Sequence, residues 1–295
     1  MGYKSGFVTI IGRPNVGKST LINRLIGEKI AITSDKPQTT RNRIQCILTT
    51  DTHQVVFLDT PGIHKPKHKL GEYMVKVAQD TVREVDVVLF VVDDSASIGA
   101  GDKYIMEQLE GIETPIILVM NKIDKMNQEQ FNKLYQEYKA TGLFDKIIGI
   151  SAAEGANLYS LIDTIVEYMP EGPQYFPEDM ITDQTERVIV AEIIREKILH
   201  YTEQEIPHGI AVETTLMKQR PEKDIIEIHA TIYCERKSHK GIIIGKNGRK
   251  LKGIGKSARE DIEKLLGSKV YLELWVKIKE DWRNSDSILK GLGYE

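Results

Sequence analysis

Apolar and polar positions follow two regimes along this chain. Up to about residue 170, short apolar runs alternate with stretches of helical spacing. The runs are Phe7-Val8-Thr9-Ile10-Ile11, Ile44-Gln45-Cys46-Ile47-Leu48, Val55-Val56-Phe57-Leu58, Val87-Val88-Leu89-Phe90-Val91-Val92, Ile116-Ile117-Leu118-Val119-Met120 and Ile147-Ile148-Gly149-Ile150. The spacing between them predicts helices over 19–26, 70–84, 101–110, 128–140 and 157–168. Near-continuous Val, Ile and Leu predicts strands buried on both faces, hence a largely parallel sheet in a doubly wound α/β domain. The short Asp51-Thr52-His53 between two runs predicts a hairpin. Such a domain binds ligands beyond the carboxyl ends of its strands.

The pattern breaks at Pro170-Glu171-Gly172-Pro173-Gln174-Tyr175-Phe176-Pro177-Glu178, whose prolines predict a semi-rigid linker. A second regime follows. A helix is expected over 184–201 with Val188, Ala191, Ile194, Ile198 and Leu199 on its apolar side, then strands over 210–214 and 225–232. A short helix ends in Ile242-Ile243-Ile244, a glycine loop leads into a helix reaching about 266, and a strand covers 270–278 before a short tail. The expected division is 1–170, a linker 171–181, and an α+β domain over 182–295.

The polar motifs sit at the strand ends. Gly12-Arg13-Pro14-Asn15-Val16-Gly17-Lys18-Ser19 lies between the first strand and the first helix, the setting that gives a G-x-x-x-x-G-K-[ST] loop its meaning. Its backbone N–H groups and the helix behind them, with Thr20, would cradle a phosphate chain. Lys18 would reach the β- and γ-phosphates, and the Ser19 hydroxyl would ligate Mg²⁺. Asp59-Thr60-Pro61-Gly62 follows the strand ending at Leu58. There Asp59 can hold Mg²⁺ through water, and the Gly62 N–H can meet the γ-phosphate. Asn121-Lys122-Ile123-Asp124 selects the base. The Asp124 carboxylate can accept from guanine N1–H and N2–H₂, a donor pair that adenine lacks. Asn121 can tie this loop to the P-loop, and the Lys122 stem can cover the base. Ser151-Ala152-Ala153 can offer a backbone N–H to guanine O6.

Gly245-Lys246-Asn247-Gly248 fits the GXXG loop of a KH domain, which clamps a single-stranded nucleic-acid backbone. Gly241, Ile242, Ile243, Ile244, Gly245, Lys246, Asn247, Gly248, Arg249 and Lys250 form the candidate RNA site, the isoleucines offering apolar contact to bases. The element order resembles the bacterial (type II) KH fold. Composition sharpens this picture. The net charge is −3, which excludes a polycation, yet residues 182–295 carry 21 Lys and Arg against 19 Asp and Glu. Eight basic residues and no acidic one lie between Arg236 and Lys256. No carboxylate or histidine cluster beside the loop suggests a nuclease. Trp275 and Trp282 are expected as packing residues. Cys46 and Cys234 lie far apart in apolar runs and are expected as buried free thiols in a reducing compartment. No apolar run approaches the length of a membrane span.

The set G-x-x-x-x-G-K-S, D-T-P-G, N-K-I-D and S-A resembles that of translation-factor-type GTPases. With Gln38-Thr39-Thr40-Arg41 and the KH-like half, the whole chain is similar to the Era family. The resemblance implies a GTP/GDP switch that binds the 3′ end of 16S rRNA and acts in assembly of the 30S subunit. It also implies a cytoplasmic protein with some peripheral membrane contact; no stable oligomer is expected. Thr40, with Thr39 as the alternative, would join Ser19 and Asp59 on Mg²⁺. The position where small regulatory GTPases carry a water-orienting Gln is Ile63, followed by His64. Slow hydrolysis is therefore expected, carried by Lys18, Thr40, Gly62 and Mg²⁺. The resemblance leaves open whether K⁺ held by Asn15 replaces an arginine finger. A GTP-gated module with negligible hydrolysis and a protein-docking scaffold also stay open as readings.

Overall fold

The computed structural model describes residues 2–34, 36, 39–62, 66, 68–203, 206–221 and 224–294. The chain divides into two units. The first holds residues 1–31, 40–66 and 71–183; the second holds 32–39, 67–70 and 184–295. No described helix is long and apolar enough to cross a membrane.

The first unit is a six-stranded sheet of β1 (Lys4–Ile11), β2 (Ile44–Thr49), β3 (His53–Asp59), β4 (Val87–Val92), β5 (Ile116–Met120) and β6 (Lys146–Gly149), in the order β2-β3-β1-β4-β5-β6. All neighbours are parallel except β2 and β3, which form the expected hairpin. Every residue of β4 and β5 is buried, as an apolar run without alternation requires. The helices are α1 (Lys18–Ile26), α2 (Lys69–Val82), α3 (Ala100–Leu109), α4 (Gln128–Lys139) and α5 (Leu158–Tyr168). The two sheet faces feed separate apolar clusters, one around Val8, Ile10, Leu21 and Leu161, the other around Ile11, Phe90, Ile105 and Tyr138.

The stretch expected as a linker is bonded to this sheet. Gly172 N donates to Tyr3 O (3.0 Å), and Ser5 Oγ donates to Pro173 O (2.6 Å). The N–H groups of Tyr175 and Phe176 donate to Gln54 Oε1. Ile47 N donates to Ile181 O (2.9 Å), so the strap continues along β2. Proline signalled the absence of helix here but said nothing of which edge would pair with the strap.

The second unit is a three-stranded sheet of β7 (Ile210–Gln219), β8 (Ile225–Cys234) and β9 (Lys269–Ile278). β7 is antiparallel and β9 parallel to β8. Helices α6 (Glu186–Tyr201), α7 (Lys237–Ile244) and α8 (Arg249–Leu266) share one core with it. That core is built on Ile194 and Ile198 of α6, Ile228, Ala230 and Ile232 of β8, and Ile254 and Ile262 of α8. α6 is buried on nearly all sides, while Val188, expected on its apolar side, is exposed. Its buried Arg195 and Glu196 are accommodated by partners. Glu196 Oε1 accepts from Thr33 N (2.9 Å), and Arg195 donates to Glu192 and to the Thr39 carbonyl. The tail is not featureless. Trp282 is fully buried, its Nε1 donating to Gly209 O (3.1 Å), and α9 (Asp286–Gly291) follows.

Candidate functional site

The loop between β1 and α1 is shaped by close approach. Gly17 has φ +101°, and a Cβ there would lie 2.3 Å from Asn121 Nδ2, so no other residue fits. Asn15 at the exposed tip also has positive φ (67°). Lys18 is buried, and its Nζ donates to Gly12 O and Arg13 O, both at 3.0 Å. Burial pushes the Lys18 pKa down to about 8. The Arg13 side chain is engaged elsewhere. Its guanidinium pairs with Asp102 and Asp93, each at 2.8 Å, and with Ser95 Oγ at 3.0 Å. That fastens the loop to α3 and leaves Arg13, in line with the expected backbone cradle, only its main chain to face a phosphate.

Three oxygens converge beside the loop. Ser19 Oγ lies 3.1 Å from Asp59 Oδ2 and 3.2 Å from Thr40 Oγ1, and Thr40 Oγ1 lies 3.3 Å from Asp59 Oδ2. Asp59 is fully buried, and its Oδ1 has no hydrogen-bond partner among the described residues. Burial raises its pKa to about 6. A buried carboxylate with an orphaned oxygen, flanked by two hydroxyls, is a donor set suited to Mg²⁺, a hard cation that takes oxygen ligands. Thr39 Oγ1 donates to Lys36 O (2.7 Å). Thr60 Oγ1 donates to Ile10 O (3.0 Å), a packing role. Pro61 is buried beside it, and a Cβ on Gly62 would lie 3.4 Å from Lys18 Nζ. Ile63 and His64, with Gln38, lie outside the described residues.

The loops after β5 and β6 are joined to the loop between β1 and α1. Asn121, buried, donates from Nδ2 to Val16 O (2.8 Å), and its Oδ1 accepts from Ala152 N (3.0 Å). Asp124 is exposed, and its Oδ1 accepts from the buried Ser151 Oγ at 2.5 Å. That bond aims one carboxylate oxygen, a role for the Ser151 side chain that the sequence pattern did not suggest. Ser151 N donates to Ala156 O (3.2 Å), so the N–H groups of Ser151 and Ala152 both have protein acceptors. Lys122, at φ 64°, sends Nζ to Asp93 Oδ2 (3.4 Å).

In the second unit, α7 ends at Gly245 and a short turn, Lys246–Gly248, leads into α8. Gly245 has φ +71°, and a Cβ there would meet Lys250 Cβ at 2.7 Å. Next to Gly248 space is open. Lys246, Asn247 and Arg249 are exposed around this turn, at the positive end of an 18-residue helix. Of the three isoleucines only Ile242 is exposed, at 44%; Ile243 is at 0% in the core, and Ile244 packs partly against it. The expectation that all three contact bases is corrected by helical geometry, since consecutive residues on α7 cannot share a face. From the turn runs a groove of about 740 Å³ lined by Arg249, Lys252, Lys256 and Arg259 of α8 and by Leu272, Glu273 and Leu274 of β9. Leucines in an edge strand read as ordinary core from sequence, so their part in this groove was not foreseen. Trp275 is 54% exposed, against the packing role expected of it.

A Gly-Lys loop between the first strand and helix of a largely parallel sheet, an oxygen cluster suited to Mg²⁺ beside it, and a GXXG turn at the start of α8 fit a P-loop GTPase domain joined to a KH domain. Residues 7–122 match the family described as 50S ribosome-binding GTPase, and residues 205–283 match the KH domain. The chain is 76% identical to the GTPase Era of Alkaliphilus oremlandii, over the full length of both. It is 61% identical to that of Clostridioides difficile, over 99% of each. Among solved structures it resembles Era in complex with MgGDPNP and nucleotides 1506–1542 of 16S ribosomal RNA, at 43% identity, 99% coverage of each chain and a TM-score of 0.96. An Aquifex aeolicus Era variant bound to GDP and AlF₄⁻ matches with a TM-score of 0.95 at 43% identity and 99% coverage of each chain. The chain belongs to the Era family of GTPases.

Proposed function

We propose that this GTPase is a switch that binds the single-stranded 3′ end of 16S rRNA in its KH groove and acts in assembly of the small ribosomal subunit. The full-length likeness to Era bound to MgGDPNP and 16S rRNA carries this reading. Phosphates lie on the N–H groups of residues 12–20, with Lys18 turning from its own loop carbonyls to the β- and γ-phosphates. Asp124, aimed by Ser151, reads guanine. Ser19, Thr40 and Asp59 would hold Mg²⁺, which would supply neutralisation of phosphate charge. The Gly62 N–H meets the γ-phosphate. With Ile63 in place of a water-orienting amide, intrinsic hydrolysis is slow; Asn15 would be the residue to hold a K⁺ that stands in for an arginine finger. In the second unit the GXXG backbone and the helix end behind it clamp the RNA backbone, while Ile242 and Leu274 meet bases. The protein works in the cytoplasm, with peripheral contact to the membrane.

The deciding experiment titrates a single-stranded 16S 3′-end RNA into the protein with GDP or a non-hydrolysable GTP analogue. It uses wild type and Gly248→Asp, which sets a carboxylate against the clamped phosphate in open space. The reading expects salt-sensitive binding that is tighter with the analogue and lost in the variant. Phosphate release measured with and without RNA and K⁺ tests the enzymatic half. No RNA binding in either nucleotide state would overturn the KH assignment.

A further inference from the structure

The strand that walls the RNA groove has a second side. In β9 the even positions Val270, Leu272, Leu274 and Val276 belong to the core and the groove. Side chains alternate along a strand, so Tyr271, Glu273, Trp275 and Lys277 take the opposite, outer face. The parallel register sets Glu227 beside Tyr271, His229 beside Glu273, and Thr231 beside Trp275 on that face. Tyr271 is 44% and Trp275 54% exposed, and β9 is the edge of its sheet. A large exposed indole on an edge strand has no packing rationale, and Trp275 has no ring or cation partner among the described residues.

The surrounding charges favour a polyanion. The Arg220 guanidinium lies 4.6 Å from the Tyr271 ring centroid, and Lys279 Nζ lies 4.8 Å from that of Tyr233. Of the carboxylates on this face, Glu227 pairs with Arg220 (3.1 Å), Glu213 accepts from the Tyr233 hydroxyl (2.8 Å), and Glu227 and Glu273 share the single Nε2 of His229 (3.0 and 3.4 Å). Lys277, exposed, shares the face with the two rings by alternation, while Lys269 Nζ turns to Glu263 of α8 (3.8 Å).

We propose that this outer face is a second nucleic-acid surface, on which unpaired bases of the RNA strand leaving the groove stack against Trp275 and Tyr271. The proposal rests on the groove being the RNA clamp. Because one edge strand carries Leu272 and Leu274 inward and the two rings outward, a strand crossing that edge passes from clamp to platform. Stacking on aromatic rings tolerates any base, so the platform adds affinity and length rather than sequence reading.

The test uses full-length wild type, Trp275→Ala, Trp275→Phe and Tyr271→Ala with two single-stranded RNAs from the 16S 3′ end. One has about four nucleotides, the length a KH clamp takes. The other has about twelve, within the span of single-strand sites. Trp275→Ala is expected to weaken the long RNA by roughly five- to a hundredfold and to leave the short RNA as in wild type. Trp275→Phe restores most of the loss. The chain has two tryptophans, and Trp282 is buried, so quenching of exposed indole fluorescence by the long RNA alone reports the stack directly. Long-RNA affinity unchanged in Trp275→Ala, with the short RNA bound, would overturn the platform and leave the face to a protein partner. Failure of wild type to bind the short RNA would overturn the groove reading, and the platform with it.

Discussion

Asn121 donates from Nδ2 to the Val16 carbonyl at 2.8 Å. The other end of the same carboxamide accepts from Ala152 N at 3.0 Å, so one buried side chain joins three loops at three strand ends. Asn121→Ala would strand a buried carbonyl and a buried N–H, each costing about 1–3 kcal/mol. The expected result is a lower melting temperature and guanine-nucleotide affinity reduced by roughly ten- to a hundredfold. A fluorescent GDP titration beside a thermal melt checks it. Unchanged nucleotide affinity in a folded variant would mean that the loops are aligned without this bridge.

Asp124 offers a carboxylate whose Oδ1 is held by Ser151 Oγ at 2.5 Å. Asp124→Asn replaces an acceptor with a donor opposite guanine N1–H and N2–H₂. Binding of GTP is expected to fall by roughly a hundredfold or more, since a base-reading bond becomes a clash of donors. A xanthine nucleotide carries a carbonyl where guanine carries its amino group, so it should bind the variant better than GTP does. Competition between the two nucleotides for wild type and variant reads this out. An unaltered preference for GTP would remove Asp124 from base selection.

The placement of most candidate nucleotide-site residues was legible because their motifs follow apolar runs that could only be buried strands. Lys18, Asp59, Asn121 and Ser151 all sit just past such runs, and the structure gathers them at one end of the sheet. What escaped the sequence depended on partners remote in the chain. The ion pairs of Arg13 with Asp93 and Asp102, about 80 to 90 residues away in sequence, had no local signal. The 171–181 stretch looks like a linker until Gln54 and Ile47 are seen to bond it. In the KH half, burial depends on the turn of α7 and the edge position of β9, and neither is encoded in a local run of isoleucines or leucines.

Ile242 and Ile243 are adjacent in sequence and opposite in environment, 44% and 0% exposed. Ile243→Ala removes methyl groups from the core of the second unit and should cost about 2–5 kcal/mol of stability. Ile242→Ala should leave the melting temperature close to wild type while weakening RNA binding, because its side chain meets solvent beside the GXXG turn. Melting curves and RNA titrations of the two variants form a crossed pair. Loss of stability in Ile242→Ala with full stability in Ile243→Ala would reverse the assignment of the two faces.

Cys46 and Cys234 are both buried free thiols, in β2 and β8. Cys46 is paired in register with Phe57, and the Cys234 Sγ donates to Lys277 O at 3.6 Å. Burial raises both thiol pKa values above the ordinary range, with nearby Asp59 adding to the effect at Cys46. Alkylation needs the thiolate, so both sulfurs should react slowly with iodoacetamide near pH 8 and rapidly once denaturant unfolds their strands. The sign for stability follows from which state holds the proton. Above about pH 8.5 the unfolded thiols lose theirs while the folded ones keep theirs. The folded state then binds more protons, so this contribution to stability is intact below that pH and is lost as pH rises through the folded values. Denaturant titrations of wild type and Cys46→Ala across the alkaline range should therefore show a shallower alkaline decline in the variant. Equal slopes, together with fast alkylation of the native protein, would place Cys46 in contact with solvent and contradict its burial between the hairpin and the core.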